Sequence, residues 1–203
     1  MIGKGRNMFQ ANTMQEAESI NNLLDFVPEK LEKMREEIIA SIQAESQEVE
    51  EWNEESQRYE KSVWFPSYDF GFVDYMLDAF FSSMVLRIYS FAENGLKVLS
   101  EISKKPKQTK GQSGQKQPSD IDLYYQGIEK KQGITLPPIE TLWPDKASFH
   151  ALRKRITHHG QNQMTKQESD SLSTELETIM KMLLFVEEQI RVKNPGFNPK
   201  LNT

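Results

Sequence analysis

The stretch of sequence that most constrains the fold runs from about Phe72 to Ile102. Its apolar residues recur at steps of three and four, which is the period of an α-helix. They are Val73, Met76, Leu77, Phe80, Phe81, Met84, Val85, Ile88, Phe91, Ala92, Leu96 and Leu99. The apolar face that they form is too broad to be buried on one side only. The pattern therefore predicts the central helix of a bundle, or a core helix that also forms a dimer interface.

The first third of the chain has a helical pattern as well, from about Met14 to Lys61. Its apolar residues at three- and four-residue steps are Val27, Leu31, Met34, Ile38, Ile42, Val49, Trp52 and Tyr59. Pro28 predicts a kink or a fresh helix start. The second half is rich in glutamate, and two interpretations are open: a solvated helix face, or a helix that extends from the body of the protein to a partner.

Further helices are predicted after residue 119. One runs from about Ser119 to Lys131 and ends at Gly133, with Ile121, Tyr124, Tyr125 and Ile128 facing inward. The last runs from about Lys166 to Lys193. Its predicted core stripe is Leu172, Leu176, Ile179, Met180, Leu183, Leu184 and Ile190. We find no convincing β-strand, so the predicted fold class is an all-α bundle.

The domain organisation follows from composition. Residues 103–119 contain Gly, Pro, Gln and Lys and no apolar side chain, which predicts a mobile loop. Neither half of the chain has enough apolar surface alone, so this loop joins two halves of one bundle. We predict a long N-terminal helical region over 1–65, a helical domain over 66–195 and a tail over 196–203.

Composition also limits the function. The chain of 203 residues has a net charge of -5, which argues against broad non-specific coating of nucleic acid but leaves room for a focused basic site. It has no cysteine, hence no disulfide and no thiolate metal site, in keeping with a cytoplasmic location. No apolar run reaches the ~20 residues of a membrane span, and the N-terminus lacks the apolar block of a signal peptide.

One short segment carries all three histidines of the protein. It reads Phe149, His150, Ala151, Leu152, Arg153, Lys154, Arg155, Ile156, Thr157, His158, His159 and Gly160. Such a cluster suits binding of a phosphate and transfer of a proton near neutral pH. On a regular helix, however, Arg153 and His158 lie roughly 140° apart. Their convergence requires the last turn to unwind before Gly160, or a partner chain to complete the site.

The segment resembles the signature of the HEPN superfamily, helical-bundle proteins that include many RNases of toxin–antitoxin, CRISPR and phage-defence systems. That signature is an arginine, four to six residues and a histidine, matched here by Arg153 and His158. Lys154 stands where Asn or Asp is common. Glu93 and Lys97 fit the acidic and basic residues that the family carries on an earlier long helix. The resemblance covers about residues 72–190.

The resemblance implies metal-independent RNA cleavage by a homodimer, without a cofactor. His158 would be the general acid or base, and Arg153 would stabilise charge on the phosphorane. Lys154 and Arg155 would bind flanking phosphates, with Glu93 and Lys97 in supporting roles. An antitoxin or defence-system protein is a possible partner; a membrane is not expected. His150 and His159 are interpreted as packing or capping residues. The alternatives are a non-catalytic HEPN-like module that binds nucleotide or RNA or assembles a complex, and an unrelated helical scaffold.

Overall fold

The computed structural model describes residues 8–64, 71–101, 118–159 and 163–199, and it is mostly helical. The helices are α1 (Met8–Glu45), α2 (Gly71–Ser100), α3 (Asp120–Gln132), α4 (Ile139–Leu142), α5 (Lys146–His159), α6 (Lys166–Asp170) and α7 (Leu172–Lys193). Two strands, β1 (Gln47–Asn53) and β2 (Arg58–Trp64), lie between α1 and α2. The predicted loop over 103–119 falls almost entirely outside the described residues.

The prediction of helical structure as far as Lys61, and of a chain without strands, is wrong, because α1 ends at Glu45 and two strands follow it. Strands β1 and β2 pair antiparallel, with Trp52 opposite Tyr59 and Asn53 opposite Arg58. The Asn53 side chain accepts hydrogen bonds from the backbone N–H groups of Glu55 and Ser56, at 2.9 and 3.2 Å. An asparagine that bonds its own following backbone favours a turn over a continuing helix.

The chain divides into two compact units. Unit 1 comprises Met1–Leu24 and Phe81–Thr203, and unit 2 comprises Asp25–Phe80. Helices α1 and α2 contribute residues to both units. The division at residue 65 stays a prediction. In the described part of the chain, no helix is long and apolar enough to cross a membrane.

The core of unit 1 is built around α2, as its apolar pattern predicts. Val85, Ile88, Leu96 and Leu99 are fully or almost fully buried. Gly95 gives α7 close access to α2, since a Cβ at this position would lie 2.5 Å from Cδ1 of Leu183. The two helices therefore approach more closely here than any larger residue would allow.

Helix α3 begins and ends as predicted. The Ser119 side chain accepts a hydrogen bond from the backbone N–H of Asp122, whose carboxylate accepts one from the Ser119 backbone in return. Gly133 follows the helix in the left-handed conformation, with φ of 62°. The four predicted inward residues are all buried. Reciprocal capping at the start and glycine at the end thus define this helix locally.

The last predicted helix is two helices. Ser171 separates α6 from α7, and Thr165 caps α6 through the backbone N–H of Glu168. The predicted stripe is confirmed except at Met180 and Leu184, which are half-buried. Met182 and Val186 are buried instead, as is Phe197 in the predicted tail.

Candidate functional site

Helix α5 has one face in the core and another toward solvent. Phe149, Leu152 and Ile156 are buried, as the helical spacing predicts. Lys154 and His158 are exposed. The side chain of His159 and all of Gly160 lie outside the described residues. Helix α5 is therefore anchored along one side and presents Lys154 and His158 on the other.

Arg153 lies between these two faces and is held by an aromatic ring. Its guanidinium carbon is 4.4 Å from the centroid of the Tyr89 ring on α2. The Tyr89 hydroxyl in turn lies 2.9 Å from Nδ1 of His150. These contacts join α5 to α2. They also place a cation on an aromatic face, which attracts it without neutralising its charge.

Tyr89 is a neutral platform at physiological pH. Burial raises the pKa of its hydroxyl to about 12; the carboxylate of Glu93 raises it too, and the positive charge of Arg153 opposes the shift. The hydroxyl therefore keeps its proton at any pH where the protein is expected to work. No sequence motif marks Tyr89, and the apolar pattern predicted for this helix does not include it.

Arg155 has a different environment from Arg153, although only two residues separate them. Its Nη2 donates to Oε2 of Glu168 at 2.8 Å and to the backbone carbonyl of Gln163 at 3.3 Å. Among the described residues, by contrast, no carboxylate pairs with Arg153. The charge of Arg155 therefore joins α5 to the start of α6, whereas none of the carboxylates that the structure describes balances that of Arg153.

The geometry of α5 separates Arg153 from His158. The helix continues through His159, so the last turn does not unwind at His158. The two side chains consequently keep the roughly 140° separation of a regular helix. Because the last turn stays helical, Arg153 and His158 can converge only if a partner chain completes the site.

Glu93 and Lys97 both lie on α2 in unit 1. Within the described part of the chain, no ion pair joins them. Glu93 acts on the site at longer range, through its electrostatic effect on Tyr89. Among the described contacts, none joins Glu93 directly to Arg153, so its supporting role stays a prediction.

A cavity of about 280 Å³ opens beside Tyr89 and His150. Its other lining residues include Ser119, Asp122 and Lys146. The Lys146 ammonium donates to the carboxylates of Asp122 and Glu140, the latter at 2.8 Å. Burial alone raises the pKa of Asp122, but its hydrogen bonds with Lys146 and Ser119 prevail and lower it. No sequence pattern predicts the cluster of Lys146, Asp122 and Glu140, because these residues come from three separate helices.

Comparison with known proteins gives no relative: no family model, no curated protein and no solved structure matches this chain. In the parts of the chain that the structure describes, no group of three or more His, Asp or Glu residues is placed to hold a metal ion. Any function must therefore be argued from the site itself.

Proposed function

We propose that the protein is a metal-independent endoribonuclease, with Arg153 and His158 at its active site. The observation that carries the proposal is the state of Arg153. Its guanidinium is held on Tyr89 and is half-exposed, and no described carboxylate balances it. A positioned, unneutralised arginine is suited to bind a phosphate through paired N–H donors.

The proposed chemistry is attack of a ribose 2′-oxygen on the adjacent phosphorus. The bond from phosphorus to the 5′-oxygen breaks, leaving a 2′,3′-cyclic phosphate and a 5′-hydroxyl. His158 takes the proton of the 2′-hydroxyl or supplies one to the leaving oxygen. Arg153 stabilises the charge that develops on the phosphorane. Lys154 is exposed and binds a flanking phosphate; Arg155 contributes less, because Glu168 already occupies its guanidinium.

The proposal includes a homodimer. Because α5 stays helical through His159, one copy cannot bring Arg153 and His158 to the same phosphate. A twofold arrangement of two α5 helices allows Arg153 of one copy to face His158 of the other. The toxin–antitoxin or phage-defence setting, with an antitoxin or defence-system partner, is a proposal that rests on the HEPN resemblance alone.

A non-catalytic RNA- or nucleotide-binding module is the second candidate. The separation of Arg153 from His158 favours it, since Arg153 and Lys154 can bind phosphates without any contribution from His158. The two candidates make different predictions for one variant. Loss of His158 abolishes cleavage in the first and leaves binding almost unchanged in the second.

The test is incubation of purified protein with single-stranded RNA in EDTA, followed by mass spectrometry of the fragment ends. We expect cyclic-phosphate ends, and no cleavage of DNA of the same sequence. His158→Ala should lower the rate by about 10²–10⁴-fold through loss of acid–base catalysis. Arg153→Ala should have an effect of similar size, about 10²–10³-fold.

The control variant is Lys181→Ala, which removes an exposed cation on α7 that pairs with Glu177. It should cleave as well as the wild type. His150→Ala should reduce activity far less than His158→Ala. If varied RNAs stay intact, or if His158→Ala cuts like the wild type, the endoribonuclease proposal fails; RNA binding that depends on Arg153 would then support the binding module.

A further inference from the structure

Unit 2 exposes more large apolar side chains than it buries. Within its described residues, Ile42 and Val73 are the buried apolar side chains. The exposed ones are Phe26, Ile39, Trp52, Tyr59, Phe72, Tyr75 and Met76. A contiguous cluster of exposed apolar side chains marks a site of contact with a partner. These residues belong to unit 2, whereas the residues of the proposed RNA site belong to unit 1.

The hairpin shows which of these residues are directed outward. Trp52 and Tyr59 are opposite each other across the strands, and their ring centroids lie 5.3 Å apart in an edge-to-face arrangement. Strand alternation places Glu48, Glu50 and Lys61 on the same face, and all of these are exposed. Val49, Asn53 and Ser62 lie on the opposite face and are half-buried. The aromatic pair therefore occupies the more exposed face of the hairpin.

The exposure of the pair is large. Trp52 is 53% exposed and Tyr59 is 67% exposed. An edge-to-face pair stabilises a hairpin to some extent wherever it lies. Yet Trp and Tyr are the residue types that contribute most to binding when a partner covers them. A solvent-facing pair of both is thus suited to anchor an apolar side chain of another polypeptide.

Charge determines the kind of partner. Unit 2 has fifteen Asp and Glu residues against five Lys and Arg, whereas the rest of the chain has fifteen against twenty. Unit 2 therefore repels nucleic acid, anionic lipid and the same unit of a second copy. A cationic polypeptide is attracted by this negative charge, and the Trp52–Tyr59 pair adds an apolar contact that charge does not provide.

We propose that the outward face of the β1–β2 hairpin, formed by Trp52, Tyr59, Glu48 and Glu50, docks a cationic amphipathic protein segment. Apolar side chains of that segment cover the aromatic pair. Its Lys or Arg residues pair with Glu50 and compete with Lys61 for Glu48, whose carboxylate lies 3.7 Å from the exposed Lys61 ammonium. Binding is consequently sensitive both to salt and to loss of the aromatic rings.

The test uses the whole protein and three labelled peptides of equal length, measured by fluorescence anisotropy. One peptide is an amphipathic helix of Leu and Lys, one has Ser in place of Leu, and one has Glu in place of Lys. We expect the Leu/Lys peptide to bind about tenfold more tightly than the Lys/Ser peptide, a difference of about 1.4 kcal/mol. The Glu/Leu peptide should not bind.

Two variants separate docking from hairpin stability. Trp52→Thr with Tyr59→Thr keeps β-favouring residues and should remove the tenfold preference for the Leu/Lys peptide. Glu50→Lys leaves the aromatic pair intact and should weaken binding several-fold more than Glu36→Lys, which changes the net charge equally from an exposed position on α1. Thermal unfolding of each variant shows that the fold is retained.

The proposal is overturned by any of several results. These are equal binding of the Leu/Lys peptide to wild type and to the Thr/Thr variant, equal binding of the Glu/Leu and Leu/Lys peptides, or no binding of the Leu/Lys peptide. A fall in molecular mass by light scattering in the Thr/Thr variant would also overturn it, because the face would then be covered by a second copy.

Discussion

Arg153 lies over the ring of Tyr89, with its guanidinium carbon 4.4 Å from the ring centroid. The same tyrosine bonds His150 through its hydroxyl. The ring and the hydroxyl thus have separate partners, and two substitutions distinguish them. Their consequences can be measured as binding of a 2′-O-methyl RNA, which lacks the attacking hydroxyl and stays intact.

Tyr89→Phe keeps the ring and should bind this RNA nearly as well as the wild type. Tyr89→Leu removes the ring and should weaken binding by about 2–5-fold, the equivalent of about 0.5–1 kcal/mol of cation–π energy. Equal affinity of the two variants would show that the ring does not position Arg153. Circular dichroism checks that both remain helical.

The Arg155–Glu168 pair should stabilise the protein in a pH-dependent way. Burial alone raises the pKa of Glu168, but its bond with Arg155 and its cap at Thr165 outweigh this and lower it below 4.5. A carboxyl group with a lowered folded-state pKa stabilises the protein above its unfolded-state pKa and loses that contribution as pH falls. A urea double-mutant cycle of Arg155→Met and Glu168→Gln should give a coupling of about 0.5–1 kcal/mol at neutral pH. A coupling near zero would argue against the pair.

Glu175 should have the opposite pH dependence. Burial raises the pKa of its carboxyl group, even though Nε1 of Trp143 donates to it at 2.7 Å. A raised folded-state pKa means that stability falls as pH rises from 4.5 through the higher folded value. Glu175→Gln keeps an acceptor oxygen for Trp143 and cannot ionise. Its stability relative to wild type should therefore increase across this range; a constant difference would refute the assignment.

Gly95→Ala should destabilise unit 1. The new Cβ would meet Leu183, which is completely buried and has no solvent to move into. Such overpacking costs about 1–3 kcal/mol, more than the gain of up to about 1 kcal/mol in helix propensity. In a Leu183→Ala background the same substitution should be tolerated. Chemical denaturation of the four proteins measures this, and an equal penalty in both backgrounds would exclude the clash.

Much of the fold was predictable, because helices are encoded by local patterns. The three- and four-residue steps of α2 and the buried face of α5 follow from spacing alone. Ser119 and Gly133 mark the ends of α3 through bonds within a few residues. The hairpin was not predicted, because the many glutamates in β1 obscure the alternation of apolar and polar residues that indicates a strand.

The sequence by itself determined which residues of α5 are buried and which cations it presents, since both depend on position around one helix. It did not determine that Arg155 pairs with Glu168 while Arg153 lies over Tyr89, because Glu168 and Tyr89 come from other helices. Nor did it indicate that the exposed rings of Trp52 and Tyr59 meet edge to face, which depends on the register between two strands. These features depend on contacts between residues distant along the chain, and only the tertiary structure decided them.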